Sequence, residues 1–530
     1  MFSKNARFSW GRALAVYSYI IFLTACSDDD APETRPDAEQ PTVSVTGLSN
    51  DARVWNTITL TIEAGDNESV KQVEIQVDNA TVLTSMDQSF TYELDTKDLA
   101  DGRHTLTLLV TDGADNTKTQ PYTFFVQNTL VSIDVPEDFP GAGKKGFVLL
   151  SDDAGQVLAS RTYQNGDTLR IRNAAFNGGE FYLTEVYIDE GDNYQELRTY
   201  THIQRGDTWA PRRGDIQFGV TPPPAGTAYL NFTNALPDVT YVVTSDVEAT
   251  FVQSDLPTAS LDLQREDGKL YITRSENDPD EYMTHYLLTA PVAIGENAGN
   301  DAIDLGQVSN ALTIGNKDLS MHGFHEGNLH ITGHVTAGDY LNKYGVSDSY
   351  VEDDHIRYRY PGEAFAAYYS RADLYGDGYS IHNYVNGLPD VEPLDCAIDV
   401  HLHNNTFTGT ITGDDIDFTE FRIGYDNHTE WYIFSPGGTI DFTLPDLPDD
   451  ILAFVSLEST GRVSSAAAIH SFDFDGYDAF LEYIQSSDYG SHFAENFGAA
   501  YKRYDVALNP DATGRLRQRK YIQPEDTKRK

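Results

Sequence analysis

Four histidines sit close together, His322, His325, His330 and His334, and imidazole is the commonest side-chain ligand for zinc or iron. A zinc-protease pair needs two histidines four apart on a helix, so that both rings meet one ion. His325 and His330 are five apart, which spreads them by roughly 140° on a helix. Gly323 and Gly327 weaken any helix there. A strand or loop carrying solvent histidines is the better reading, and a loop-built metal site the weaker one. His401 and His403 flank Leu402 on an expected strand and so share a face. Exposed polar strand positions explain that pair as well as a metal does.

The densest unusual feature is aromatic. Ten tyrosines fall in the 45 residues from Tyr340 to Tyr384, interleaved with Asp353, Asp354, His355, Arg357, Arg359 and Arg371. Tyrosine faces stack on the apolar face of sugar rings, and neighbouring Asp, Arg and Asn side chains bond the hydroxyls. Tyr and Arg are equally the anchors of protein interfaces. The candidate ligand-binding residues are therefore Tyr358, Tyr360, Tyr368, Tyr369, Arg371, Tyr375 and Tyr379. The competing reading is that tyrosine, a good strand former, fills a half-buried sheet.

Asp373-Leu374-Tyr375-Gly376-Asp377-Gly378 resembles the first half of an EF-type calcium loop. Position three is Tyr375 instead of an oxygen ligand, and position twelve is Tyr384 where a bidentate Glu is required. Ser471-Phe472-Asp473-Phe474-Asp475-Gly476 fails at Tyr477 for the same reason. Asp373, Asp377, Asp473 and Asp475 are then candidates for an irregular calcium site, and calcium is the one cofactor entertained. The other reading is a stabilised turn before each helix. No nucleophile elbow, phosphate-cradling Gly loop or dinucleotide fingerprint occurs. With 82 acidic residues, no carboxylate dyad of a polysaccharide hydrolase can be singled out.

Composition narrows the partners. The 530 residues carry 82 acidic against 37 basic side chains, a formal charge of −45. Such a surface repels phosphate backbones, so no nucleic-acid partner is expected. The one large basic cluster, Arg515 to Lys530, reads as a tail over 511–530. Cys26 and Cys396 are the only cysteines. Cys396 reads as a buried small hydrophobe.

Positioning elements are legible as strands. Thr57-Ile58-Thr59-Leu60-Thr61-Ile62, Val73-Glu74-Ile75-Gln76-Val77 and Phe90-Thr91-Tyr92-Glu93-Leu94 alternate polar and apolar between Asp, Asn and Gly turns, the pattern of a β-sandwich. Residues 41–128 resemble bacterial Ig-like domains through Val73 to Asn79, the turn Leu99-Ala100-Asp101-Gly102-Arg103-His104, and Val110-Thr111-Asp112 before Asn116. The family usually has Gly-Asn where Asp115-Asn116 stands. Further strands predict a β-sandwich-like domain over 129–221. Thr221-Pro222-Pro223-Pro224 reads as a stiff linker, and a large β-rich region follows over 225–510. Glu363 to Ala372 and Tyr477 to Gln485 are the two expected helices. The fold class expected is all-β: an N-terminal Ig-like β-sandwich, then further β-sandwich-type domains with a few short helices.

The N-terminus supplies an address. A basic start (Lys4, Arg7, Arg12) precedes a short apolar run from Ala13 to Leu23, the layout of a secretory signal peptide over 1–25. Leu23-Thr24-Ala25-Cys26 resembles the lipobox of bacterial lipoproteins, which implies that Cys26 is lipidated and begins the mature chain. Ser27-Asp28-Asp29-Asp30 resembles the export signal of Bacteroidetes-type surface lipoproteins. Residues 26–40 read as an acidic tether. The expectation is an outer-membrane, lipid-anchored, cell-surface protein that binds a glycan without catalysis. Alternatives are a structural or adhesion lipoprotein contacting envelope proteins, and a polysaccharide hydrolase.

Overall fold

The alternation of apolar and polar residues is realised in space as two-faced sheets. The structure is a computed structural model that describes residues 37–211, 223–275, 283–296, 298–319, 322–338, 343–346, 349–352, 355–425, 428–457, 463–485 and 500–508. Cys26, the signal segment and the basic tail lie outside the described residues. The chain divides into two compact units, one built from residues up to 52, 59–94 and 104–124, the other from 53–58, 95–103 and everything from Phe125 onward.

In the first unit, strands Thr42–Thr46, Thr57–Gly65 and Ser89–Asp95 form one sheet. Ala52–Val54, Thr117–Val126, Gly102–Asp112, Val70–Val77 and Ala80–Ser85 form the second. The alternate residues Leu60, Ile62, Val73, Ile75, Leu106, Leu108, Val110 and Phe124 are fully buried. Period-2 patterning thus places one face of each sheet inward.

The second unit is organised by a twelve-stranded sheet. Its order is Val157–Tyr163, Lys144–Ser151, Glu180–Asp189, Tyr194–Gln204, Thr429–Ser435, Phe418–Gly424, Val463–Ser471, Tyr501–Ala507, Tyr379–Asn386, Ala367–Tyr375, Glu326–His334 and Lys343–Gly345. The expected divide between 129–221 and 225–510 is crossed by this sheet: Tyr194–Gln204 pairs in parallel with Thr429–Ser435, Gln195 opposite Thr429 through Tyr200 opposite Phe434. Both faces are covered near this junction. On one, Val400, Phe407, Ile411, Ile440 and Phe442 of a three-stranded sheet pack on Leu149, Val186, Leu197, Phe421, Trp431 and Ile433. On the other, Leu130, Val131, Ile133 and Ile171 join Tyr477, Phe480 and Ile484 of the helix Gly476–Gln485 over Val148, Leu183, Tyr200, Phe418 and Phe434.

Residues 226–311 fold as a smaller sandwich around Leu230, Phe232, Tyr241, Val243, Leu261, Leu263 and Ile272. Strands Thr313–Asp318, His355–Tyr360 and Ser349–Glu352 pack over the far end of the large sheet through Leu319, Ile356 and Tyr358 against Leu329, Ile331, Ala372, Leu374 and Ile381. The described residues are all-β, with two short helices, Asp449–Leu452 and Gly476–Gln485, and one 3-10 turn.

The second expected helix forms and the first does not. Glu363 to Ala372 is rich in alanine, yet Ala367–Tyr375 is a strand paired on both sides, with Glu326–His334 and with Tyr379–Asn386. Two ladders of backbone hydrogen bonds and the alternation Tyr369-Arg371-Asp373-Tyr375 against Ser370-Ala372-Leu374 override helix propensity. The turn expected at Asp373 to Gly378 is accordingly the hairpin between two strands, Gly378 adopting φ +87°.

Candidate functional site

Strand register decides which of the candidate residues meet. On Ala367–Tyr375, the side chains of Tyr369, Arg371, Asp373 and Tyr375 share one face, and Tyr368, Ala372 and Leu374 the other. Partner strands extend the first face: His330, Arg371, Tyr384 and Tyr501 lie opposite one another in turn, as do Asn328, Asp373, His382 and Arg503. Tyr358, Tyr360, Tyr368 and Tyr379 are not part of it.

Those four belong to packing on the other side. Tyr358 is 5% exposed, and its ring covers Gly315 so closely that a Cβ there would meet it at 2.2 Å. The half-buried Tyr360 ring lies 5.9 Å from Tyr358 and 5.8 Å from Tyr368, whose hydroxyl donates to the Gly362 carbonyl at 2.6 Å. Tyr379 donates to the His322 carbonyl at 2.6 Å and packs against Phe324 and Tyr504. Tyr369 points to the polar face but is 2% exposed. Tyr358 and Tyr369 are buried framework, Tyr358 within the hydrophobic core and Tyr369 between Thr332 and Asn386 of the neighbouring strands.

What remains on the polar face is a connected belt. His382 Nδ1 lies 2.6 Å from Asp373 Oδ1, and its Nε2 lies 3.9 Å from Asp505 Oδ2. Tyr384 donates to Asp373 at 3.1 Å, while the Arg371 guanidinium sits 4.9 Å over the Tyr384 ring. Tyr384 and Tyr501 are 4.7 Å apart between centroids, and Tyr375 faces His382 at 6.0 Å. Arg503 bonds Asp505 at 2.7 Å and Glu420 at 2.9 Å. The belt continues through Arg422 to Glu430 at 2.8 Å, Arg198 to Glu196 at 2.6 Å and Lys144 to Asp189 at 2.6 Å. Arg198 and Arg422 both lie over the Tyr432 ring, at 5.6 and 5.7 Å. The Tyr432 and Tyr194 hydroxyls donate to Glu430 and Glu196.

Electrostatics hold Asp505 ionised. Burial alone would raise the Asp505 pKa, but the charge and hydrogen bonds of Arg503, with His382 and Arg422, hold it below the usual carboxylate range. Burial and the charges of Asp373, Glu326 and Asp505 push the Tyr375 hydroxyl up to about 12, so it stays a neutral donor. Tyr432 is raised in the same direction, chiefly by burial. Neutral hydroxyls, carboxylates and guanidinium groups between aromatic rings make a surface of hydrogen-bond donors and acceptors. Such a surface suits a polyhydroxylated ligand.

The residues proposed for calcium are not gathered. Asp373 serves His382 and Tyr384. The Asp377 side chain is 95% exposed in the hairpin. Asp473 accepts from the Ala500 backbone at 3.3 Å, and Asp475 is exposed before the helix. Among the described residues, three carboxylates converge instead at Asp37, Asp66 and Asp112, with one oxygen from each within 4.8 Å of the others. These are the oxygen donors a hard cation takes. Asn67 and Asn116 side chains already bond Asp37 and Asp112. Sequence reading missed the group because its members are 29 and 46 residues apart, Asp112 at the end of the strand Gly102–Asp112 and the other two in connecting segments.

The histidine stretch falls on the strand Glu326–His334 and the segment before it, with His322 Nε2 3.0 Å from Glu392 and His325 exposed. His401 is 78% exposed on its strand. Cys396 is half-buried against the hydrophobic core, and burial raises its thiol to about 11.

Comparison with known proteins agrees on the first unit. Residues 41–108 match the bacterial Ig domain family. No curated protein matches the chain. Solved structures similar to parts of it include fibronectin(III)-like modules of Clostridium thermocellum CbhA. These are 18% identical and cover 16% of this chain and 96% of that one, with a TM-score of 0.15. The Bacteroides ovatus mixed-linkage glucan utilization locus protein SGBP-B, solved with a mixed-linkage heptasaccharide, is 11% identical over 60% of this chain and 92% of that one, with a TM-score of 0.15. A tetra-tandem repeat from the extending region of a large adhesion protein is 12% identical, covering 89% and 99%, with a TM-score of 0.17.

Proposed function

We propose that this is a surface-displayed lipoprotein, anchored through Cys26, that holds an extracellular glycan on the polar face of its large sheet without catalysis. The Ig-like domain is the spacer between tether and binding unit. The single observation that supports the binding reading most is the register of Arg371, Tyr384 and Tyr501 beside Asp373, His382 and Arg503, which sets half-buried aromatic rings among satisfied donors and acceptors. The test is affinity electrophoresis of the full chain through gels containing soluble polysaccharides. A retarded wild type and a Tyr375→Ala/Tyr384→Ala double variant that migrates freely, with unchanged circular dichroism, are the expected pair. Equal migration of the two in every gel contradicts the assignment. The anchor is tested separately by labelled-palmitate incorporation, which Cys26→Ser abolishes.

A second reading, contact with an envelope protein, is favoured by Phe251 and Leu256, 66% and 62% exposed on the 226–311 sandwich. Apolar side chains so exposed suit a protein partner. In-cell cross-linking that recovers a protein in wild type and loses it in Phe251→Ser/Leu256→Ser supports that reading, and recovery unchanged by the substitutions removes it.

A further inference from the structure

Resting on the glycan-binding reading, we infer that the ligand is an uncharged polysaccharide lying across the strands, and that acidic, uronate-containing polymers are refused. The belt carries many charges; apart from Arg371, which lies over the Tyr384 ring and bonds Tyr369, they are arranged in pairs. From Arg503 to Lys144 each cation has a carboxylate between 2.6 and 2.9 Å away: Asp505 and Glu420 for Arg503, Glu430 for Arg422, Glu196 for Arg198, and Asp189 for Lys144, and beside them His382 Nδ1 lies 2.6 Å from Asp373. Asp505, Glu430 and Glu196 have side chains only 4–6% exposed, so these pairs are poorly screened and hold their geometry.

A uronate approaching any of these cations meets the resident carboxylate beside it. Binding would require displacing that partner and leaving a buried charge uncompensated, which is costly. A neutral polyol makes no such demand. A guanidinium has five N–H donors and a carboxylate about four lone-pair positions, so a paired Arg and Glu still offer both donors and acceptors to hydroxyl groups. The rings of Tyr375, Tyr384, Tyr501 and Tyr432 add apolar contact that is indifferent to charge.

Direction follows from the order of strands. The belt runs from Ala367–Tyr375 to Lys144–Ser151, nine neighbouring strands. At about 4.8 Å per step this is roughly 40 Å, the reach of a polymer and not of a monosaccharide. The aromatic rings recur on successive or nearby strands along this line, so each added sugar unit of an extended chain reaches a fresh set of side chains.

The experiment uses the full chain in affinity gels of hydroxyethyl cellulose, galactomannan, polygalacturonate and alginate, at about 0.05 and about 0.5 M NaCl, across which screening changes severalfold. The expected result is retardation by a neutral polymer, constant within twofold between the two salt levels, and none by either uronate polymer. Glu430→Gln uncovers Arg422 and is expected to gain uronate retardation at low salt that disappears at high salt. Retardation of wild type by uronate polymers alone, collapsing with salt, overturns the inference and leaves the glycan reading standing. Absence of retardation in every gel overturns both. A folded Glu430→Gln chain that still ignores uronates overturns the pairing argument.

Discussion

Trp431 Nε1 donates to Thr199 Oγ1 at 2.8 Å, although 232 residues separate them. The bond sits inside the parallel junction of Tyr194–Gln204 and Thr429–Ser435, and Thr199 in turn meets Thr184 at 2.8 Å. Trp431 is 1% exposed against Phe421, Leu197 and Val186 in the same core. It is therefore both the largest apolar body at the junction and the polar tie across it.

Trp431→Ala is expected to destabilise the second unit by about 3–5 kcal/mol through cavity formation. Trp431→Phe keeps part of the volume and loses the hydrogen bond, costing about 1–3 kcal/mol. Urea unfolding followed by circular dichroism checks both. Because one sheet joins 144–204 to 418–507, probes placed in either segment should report the same midpoint; two separated midpoints would contradict the shared sheet.

Arg503 links Asp505 and Glu420, and its removal leaves two carboxylates without their cation. Arg503→Met is expected to cost about 3–5 kcal/mol, the range for breaking a buried pair from one side. Lys71 and Asp115 form an ion pair with side chains 54% and 73% exposed, and Lys71→Ala should change stability by less than about 1 kcal/mol. Paired denaturation curves measure the contrast.

Acid should weaken the same belt. The Asp505 pKa is depressed in the folded state. Its stabilisation is therefore complete above the ordinary carboxylate value near ~3.9 and is lost as pH falls through the lower folded value. Melting temperature against pH should fall below about 4, and Asp505→Asn should flatten that slope while lowering stability at neutral pH.

Alkali acts in the opposite sense on the buried tyrosines. Burial raises Tyr163, Tyr271, Tyr432 and Tyr477, and Tyr182 reaches about 12 with added repulsion from Asp153, Asp441, Asp152 and Glu180. A raised folded pKa gives stability that is full below about 10 and lost as pH climbs toward the folded values. Tyrosinate absorbance should therefore rise in two stages, the exposed rings near pH 10 and the rest together with loss of the far-ultraviolet signal. A single smooth titration with the fold intact would contradict the burial.

The strands of the Ig-like unit were legible because one face of each is buried, as Leu60 and Ile62 against Thr59 and Thr61 show. The helix at Tyr477 was legible from Phe480, Leu481 and Ile484 on one side. Glu363 to Ala372 misled because local propensity carries no information about two flanking strands that arrive from elsewhere. The parallel pairing of Gln195 with Thr429 is invisible for the same reason, being set by contacts across 234 residues. The tyrosine-dense stretch was legible as strand-forming, but the face each ring takes was not: register puts Tyr368 and Tyr379 on the side of the large sheet opposite Tyr369, Arg371 and Tyr375. Glu420, Arg422, Glu430 and Arg198 gave no signal, since charged residues alternating along a strand look like an ordinary solvated face until register brings them together.

Hydrogen exchange of the full chain with and without a retained neutral polysaccharide tests the central claim most directly. Slowed exchange in peptides covering 367–386, 418–435 and 501–507, with 41–126 and 249–256 unchanged, is the predicted result. Protection confined to the Ig-like unit or to the Phe251–Leu256 region, with the large sheet unaltered, would contradict it.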